Sequence, residues 1–157
     1  RPKARACLSS VSSGALLGGH VVVGDRAVIS GNTGVHQFVR VGSLAMVACV
    51  APITQDVPPF MMTDHQGRIV GINTIGLRRA GYTPAERAQI KSAYRLLYRS
   101  AMTRVQVIAA LEHETKTPAL TLLLDFLRAT TDRGIVRGRL NRKDDSEGDV
   151  DPLLRAV

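Results

Sequence analysis

Broken into sixes, residues 11–58 read VSSGAL LGGHVV VGDRAV ISGNTG VHQFVR VGSLAM VACVAP ITQDVP. Every block opens on an aliphatic residue: Val11, Leu17, Val23, Ile29, Val35, Val41, Val47 and Ile53. The fifth residue of every block is small or β-branched: Ala15, Val21, Ala27, Thr33, Val39, Ala45, Ala51 and Val57. A period of six does not fit an α-helix, because an aliphatic stripe at that spacing would wander around a cylinder of about 3.6 residues per turn. Short strands separated by tight turns do fit. Each block then supplies one strand and one corner, and three blocks close a coil of about 18 residues with three flat faces. Eight blocks wind about 2.7 such coils. The aliphatic residues point inward and stack on their equivalents above and below, and the small residues also face the interior. Gly24-Asp25 and Gly31-Asn32 are the expected corner residues, where positive φ or side-chain-to-backbone bonds are needed. One block earlier the aliphatic position is taken by Arg5, so residues 1–10 break the pattern and the coil begins abruptly. The coil region is expected over residues 7–59.

The segment Thr54-Gln-Asp-Val-Pro-Pro59 ends the repeat. Pro58 and Pro59 lack ladder donors and are expected to terminate strand pairing. Residues 60–82 read as a connecting strand or loop segment, with turn signals from Asp64 to Gly67. Thr83-Pro84-Ala85-Glu86 forms a capping box, predicting a helix to about Ser100 that carries Ile90, Ala93, Tyr94, Leu97 and Tyr98 on one face. A second helix starts after Thr103, with Gln106 at the third helical position and Val107, Ala110 and Leu111 on its apolar face. A third starts at Thr117-Pro118 and carries Leu120, Leu123, Leu124 and Leu127. Residues 83–138 are thus expected to form a C-terminal helical domain, with 139–157 a polar, disordered tail.

The chain has 157 residues, is 45% apolar and carries 21 basic against 13 acidic groups, for a net charge of +8. This excludes wholesale disorder. The longest apolar runs, such as Ala45 to Pro52, fall far short of the roughly 20 residues that cross a bilayer, so membrane insertion is not expected. Neither is a secretory leader, for want of an apolar h-region at the start. Cys7 and Cys49 alone make neither a disulfide scaffold nor a zinc site, and both read as buried small hydrophobes in a reducing compartment. Residues 61–140 hold 13 basic and 6 acidic groups, so the basic excess lies there. Such a surface attracts phosphates, anionic lipid, nucleic acid or an acidic protein. Nucleic acid is the weakest of these: aromatics make up only 4%, Trp is absent, and no base-reading motif accompanies the charge.

Gly18-Gly19-His20, Gly31-Asn-Thr-Gly-Val-His-Gln-Phe38, Gln55-Asp-Val-Pro-Pro59, Gly71-Ile-Asn73, Gly76-Leu-Arg-Arg79 and the stretch Ala93-Tyr94-Arg95 to Tyr98-Arg99-Ser100 follow one another in one spacing. In these motifs residues 7–137 resemble the UDP-N-acetylglucosamine O-acyltransferases of lipid A biosynthesis, of whose usual length only the carboxy-terminal half is matched. The resemblance implies a left-handed parallel β-helix of hexapeptide repeats followed by a small α-helical domain. It implies a cytoplasmic homotrimer with active sites between neighbouring β-helices. The reaction moves a 3-hydroxyacyl chain from acyl carrier protein to the 3-hydroxyl of UDP-N-acetylglucosamine, with no metal or bound cofactor. A histidine is the general base, suited by a pKa near working pH, and a backbone N–H in a turn stabilises the thioester oxyanion.

By the same resemblance, Gly19 matches the oxyanion donor, His20 a cleft residue that positions substrate, and His36 and Gln37 a substrate-contacting pair. Asn73 and Arg79 match groups that hold the nucleotide end, where a guanidinium fork suits a diphosphate. Cys49 stands at a position that limits acyl-chain length. Departures accompany these matches. In the family's spacing to His20 the general base falls on Arg1, and arginine cannot accept a proton. Ile75 replaces a nucleotide-binding glutamate and Ala80 a second arginine, and His65 lies out of register, by two positions, with a donor-contacting histidine. The chain is therefore expected to be a catalytically incomplete acyltransferase. The alternatives are a non-catalytic trimeric module that binds acyl carrier protein, or a hexapeptide acyltransferase with another acceptor.

Overall fold

The computed structural model describes residues 9–129 and 131–139. Arg1, Cys7 and the tail expected to be disordered, from residue 140 on, lie outside the described residues. Eight short strands follow one another: β1 (Ser10–Val11), β2 (Leu16–Leu17), β3 (Val22–Val23), β4 (Val28–Ile29), β5 (Gly34–Val35), β6 (Arg40–Val41), β7 (Met46–Val47) and β8 (Pro52–Ile53). They pair in parallel three strands apart: β1 with β4 and β4 with β7, β2 with β5 and β5 with β8, β3 with β6. Val11 stands beside Ile29, Leu17 beside Val35 and Val23 beside Val41, each offset by three whole blocks. Three blocks therefore close one coil, and each flat face is one parallel sheet. Both inward positions fill the interior. Ile29, Val35, Val41, Val47 and Ile53 are buried, together with Ala27, Thr33, Val39, Ala45 and Ala51.

The corners differ from the expectation. Positive φ recurs in one phase of the repeat, at His20, Arg26, Asn32, Phe38, Leu44 and Val50, with Gly14 in the same phase. Of the anticipated corner residues only Asn32 takes it. The coil beneath holds these corners: the N–H groups of Asn32, Phe38, Leu44 and Val50 donate to the carbonyls of Ser13, Gly19, Asp25 and Gly31 at 2.9–3.2 Å. Glycine does a different job at Gly18, Gly24 and Gly42, where φ is ordinary. A Cβ there would overlap the backbone of the next coil, at Gln37, Ser43 and Pro59 respectively.

Pro58 and Pro59 do not end the sheet. β9 (Met61–Thr63) resumes parallel pairing on β7, with Met62 beside Met46, and Val57 bridges Val41. Both pairings fall two positions short of the three-block offset, so this coil is shorter than those before it. β9 then turns through Gly67 (φ 73°) into antiparallel β10 (Ile69–Ile72). The segment read as strand or loop also contains a short helix, α1 (Thr74–Arg79), whose start is capped by Asn73.

Three longer helices follow: α2 (Pro84–Arg99), α3 (Arg104–Glu112) and α4 (Pro118–Arg128). Both expected capping boxes are formed, Thr83 with Glu86 and Thr103 with Gln106. The Thr83 backbone and side chain donate to the Glu86 carboxylate and hold its pKa below the usual range. Val107, Leu111, Leu120, Leu123, Leu124 and Leu127 are buried between helices, and α2 meets the β-structure chiefly at β10, where the Tyr94 hydroxyl donates to the Val70 carbonyl. The chain after α4 is not helical: it returns to the coil, where Ile135 bridges Asp56 and Gly138 bridges Ile69. Coil, hairpin and helices share one cluster of buried apolar residues. Among the described residues no helix is long and apolar enough to cross a membrane.

An ion pair joins the coil to the helices. Asp56 is 0% exposed and accepts from the Arg40 backbone N–H (2.8 Å), from the Arg40 guanidinium (2.8–2.9 Å) and from the Thr131 hydroxyl (2.6 Å). Arg40 lies 4.2 Å from the centre of the Phe126 ring and donates to the Ala129 carbonyl, so it closes the end of α4 onto the coil. Removing Asp56 strips the partly buried Arg40 guanidinium, the Arg40 N–H and the Thr131 hydroxyl of their acceptor. Asp56→Ala is therefore expected to lower stability by about 3–5 kcal/mol in a denaturant titration. Gly42→Ala is expected to cost about 1–3 kcal/mol through the clash with Pro59. Gly34→Ala, where a Cβ meets open space, is expected to stabilise by about 0.5 kcal/mol through the unfolded chain.

Candidate functional site

Two turns of the coil stack at one corner. The lower is Gly18-Gly19-His20 and the upper, one coil on, is His36-Gln37-Phe38. The Gly19 carbonyl accepts the Phe38 N–H at 3.0 Å, and Gly18 packs directly under the Gln37 backbone. The His20 ring lies flat on Phe38, with centroids 5.1 Å apart and planes 3° from parallel. This stack on the coil's outside fixes the exposed imidazole. The His36 ring nitrogen Nδ1 lies 3.4 Å from the Gln37 carbonyl oxygen, and the residue is exposed. The Gly19 N–H donates to no acceptor among the described residues, and beyond its chain neighbours no atom of those residues lies within 4 Å of where a Cβ would stand. This corner therefore pairs an unshielded backbone donor with a neighbouring histidine.

A groove of about 740 Å³ runs along the β2–β5–β8 face, from Gly18, His36 and Gln37 at this corner to Asn32 and Val50 at the next. Its walls are largely apolar, with Leu16, Leu17, Val35, Pro52 and Ile53 among them. Cys49 sits beside Val50 at the far corner. It is exposed, not buried as expected, because it occupies the outward position of its turn.

The remaining candidates stand on the third corner. Asn73 donates its N–H to the Phe60 carbonyl and its side-chain amide to the Leu44 carbonyl, and its Oδ1 accepts from the Gly76 N–H. It is buried and engaged within the fold, so its immediate effect is to begin α1 and set the direction of the helix. Arg79, in the last turn of α1, is exposed. Ile75 is exposed on the same helix and offers no carboxylate. Burial, and then the nearby Glu86, raise the pKa of Tyr82 here, so its hydroxyl remains a donor. The chain thus assembles Gly19, His20, His36 and Gln37 at one edge of the prism and Asn73 and Arg79 at another. Sequence reading missed Phe38 as the partner of His20. The signal was present: both are the fourth residue of their block, one coil apart. Among the described residues no group of three or more His, Cys, Asp or Glu is placed to hold a metal ion.

Residues 56–136 match the family model described as Udp N-acetylglucosamine O-acyltransferase, Domain 2. The chain belongs to the UDP-N-acetylglucosamine O-acyltransferase family. Among curated relatives, an acyl-[acyl-carrier-protein]–UDP-N-acetylglucosamine O-acyltransferase of Verminephrobacter eiseniae is 47% identical over 133 residues, 81% of this chain and 50% of the relative. A protein of the same name from Gloeothece citriformis is 43% identical over 122 residues, 77% of this chain and 44% of the relative. The solved UDP-N-acetylglucosamine acyltransferase of Francisella novicida superposes with a TM-score of 0.76 at 38% identity, covering 81% of this chain and 47% of that one. The chain spans about half the length of the relatives it matches.

Phe38 carries both the ring stack and a φ of 65°. Replacing it separates the two effects. Phe38→Gly is expected to be more stable than Phe38→Ala by about 1 kcal/mol, because only glycine relaxes at that φ. In both variants the His20 ring protons are expected to lose their ring-current shift in NMR spectra.

Proposed function

We propose that this chain provides acyl-transfer machinery directed at UDP-N-acetylglucosamine, with acyl carrier protein as the carrier of the donor. The observation that carries this reading is the unshielded Gly19 N–H beside His20, on a corner whose Gly18, His36 and Gln37 border an apolar groove. The names of the relatives support both substrates. In the reaction the sugar 3-hydroxyl attacks the thioester carbonyl. A C–O bond forms, the C–S bond breaks, and the proton passes through a base to the leaving thiolate. The Gly19 N–H faces the oxyanion that develops on the carbonyl oxygen. His20, held by Phe38, and the His36–Gln37 pair orient the sugar. Arg79 takes the diphosphate through its guanidinium fork, and Asn73 sets α1 so that Arg79 projects outward. The acyl chain runs along the β2–β5–β8 groove toward Cys49, whose side chain limits its length.

The fold in this reading is a left-handed β-helix of about 2.7 hexapeptide coils followed by the helices α2 to α4, a likeness supported by the Francisella structure. It works as a homotrimer. Two groups of site residues on different corners of one rigid prism meet only if a neighbouring copy brings the corner with Arg79 to the corner with His20. The reading requires no cofactor, and its substrates imply a cytoplasmic setting.

The base is the weak point. By the family resemblance the position of the base falls on Arg1, whose guanidinium stays protonated. Turnover by this chain with 3-hydroxyacyl carrier protein and UDP-N-acetylglucosamine is therefore expected about 10²–10⁴-fold below that of a full-length relative. Turnover at the relative's level would overturn the incomplete-site reading. Calorimetry is expected to find UDP-N-acetylglucosamine bound, and about tenfold more weakly by Arg79→Ala and by His36→Ala. Unchanged affinity in both variants would overturn the substrate assignment. Arg1 also favours a second reading, a non-catalytic module for acyl carrier protein, which predicts carrier binding with no affinity for the nucleotide sugar.

A further inference from the structure

A second cavity, of about 820 Å³, opens between the β9–β10 hairpin, the end of α2, the start of α3 and the returning segment 135–139. Among the described residues Arg68, Arg99, Arg104, Arg137 and Arg139 line it, and no carboxylate does. These arginines come from four separate parts of the chain, so helical or strand periodicity does not explain their convergence. Asp64 pairs with Arg68 at 3.1 Å, and the Arg99 Nε donates to the Tyr94 hydroxyl at 3.2 Å. The guanidinium groups of Arg104, Arg137 and Arg139 make no ion pair or hydrogen bond to the described residues. Like charges that line one cavity repel one another, and a bound anion relieves that repulsion.

The wall of the cavity carries a second sign of a missing partner. Tyr98 lines it, and the Tyr98 hydroxyl is buried with no hydrogen-bond partner among the described residues. Burial, with a smaller contribution from Tyr94, raises its pKa well above the ordinary phenol value, so it stays a donor at any physiological pH. A buried donor left unmade is costly, and native folds rarely carry one without cause. Gly138 packs on the Tyr98 ring, where a Cβ would come to 3.1 Å, so the returning segment is fitted closely over this residue.

We propose that this cavity binds a phosphate-bearing small ligand. Guanidinium forks match phosphate oxygens in pairs, and several forks facing one space suit a group with more than one charged oxygen. The volume lies in the range of small-molecule sites. Apolar walls from Leu97 and Val107 indicate a ligand with an uncharged portion beyond its phosphate. The site is distinct from the corner with Arg79, which is not among its lining residues. It adjoins the β2–β5–β8 groove at Pro52 and Thr54, which border both.

The test is a titration of the full chain with inorganic pyrophosphate at physiological ionic strength, followed by calorimetry and by NMR of the Tyr98 ring. Saturable binding with one equivalent is expected, weakened about tenfold in Arg104→Gln and in Arg137→Gln. Arg95→Gln, an exposed arginine of α2 outside the cavity, is expected to leave affinity unchanged. Tyr98→Phe is expected to weaken binding while melting no lower than the parent chain, since the hydroxyl lost was unsatisfied. UDP-N-acetylglucosamine competing for the bound pyrophosphate would identify the nucleotide sugar as the source of the phosphate, and failure to compete would point to another phosphorylated ligand. Non-saturable binding, equal binding of sulfate, or an equal loss in Arg95→Gln would each overturn the proposal.

Discussion

The backbone hydrogen bond between stacked corners governs this molecule. Turn after turn a residue sits at positive φ, and from Asn32 to Val50 the N–H at that place reaches the carbonyl of a turn one coil earlier. That conformation costs about 1–3 kcal/mol for a residue other than glycine. The chain tolerates it at Phe38, Leu44 and even the β-branched Val50, because the coil underneath over-determines the corner. The same closeness excludes any side chain at Gly18, Gly24 and Gly42. Position in the fold is thereby fixed by the residue one coil away more than by neighbours in sequence.

The departure from this rule is where the architecture changes. The last coil is shortened at the Pro58–Pro59 step, yet β9 rejoins the sheet at a shifted register. Asp56, at the start of that step, lies buried beneath Arg40. Its carboxylate collects donors from the coil and from the return segment. A paired buried charge of this kind adds little net stability over an apolar pair, but it admits few alternative arrangements of α4 on the coil.

Function inherits the same geometry. A rigid triangular prism presents one set of chemical groups on each corner and cannot fold them toward one another. Gly19, His20, His36 and Gln37 share an edge because they recur at coil spacing, whereas Asn73 and Arg79 reach another edge by way of the hairpin and α1. The arginine-lined cavity arises differently again, from segments that converge only because the chain returns from α4 to the sheet.

The six-residue period of aliphatic side chains was legible in the sequence, since each inward position repeats its chemistry without reference to distant contacts. The capping boxes at Thr83 and Thr103 were legible for the same reason: both are local. The stacking of Gly18-Gly19-His20 under His36-Gln37 follows from the same spacing, since the two turns stand three blocks apart. Positive φ at Phe38, Leu44 and Val50 was not legible, because the hydrogen bond that enforces it comes from another coil. Nor were the resumption of pairing after Pro59, the helix α1, the exposure of Cys49 or the engagement of Asn73 with Leu44. Local sequence names the residues that prefer a turn or a strand. The packing of one coil on the next decides which of those preferences is overruled, because the free energy of a stacked layer exceeds that of any single residue's conformational bias.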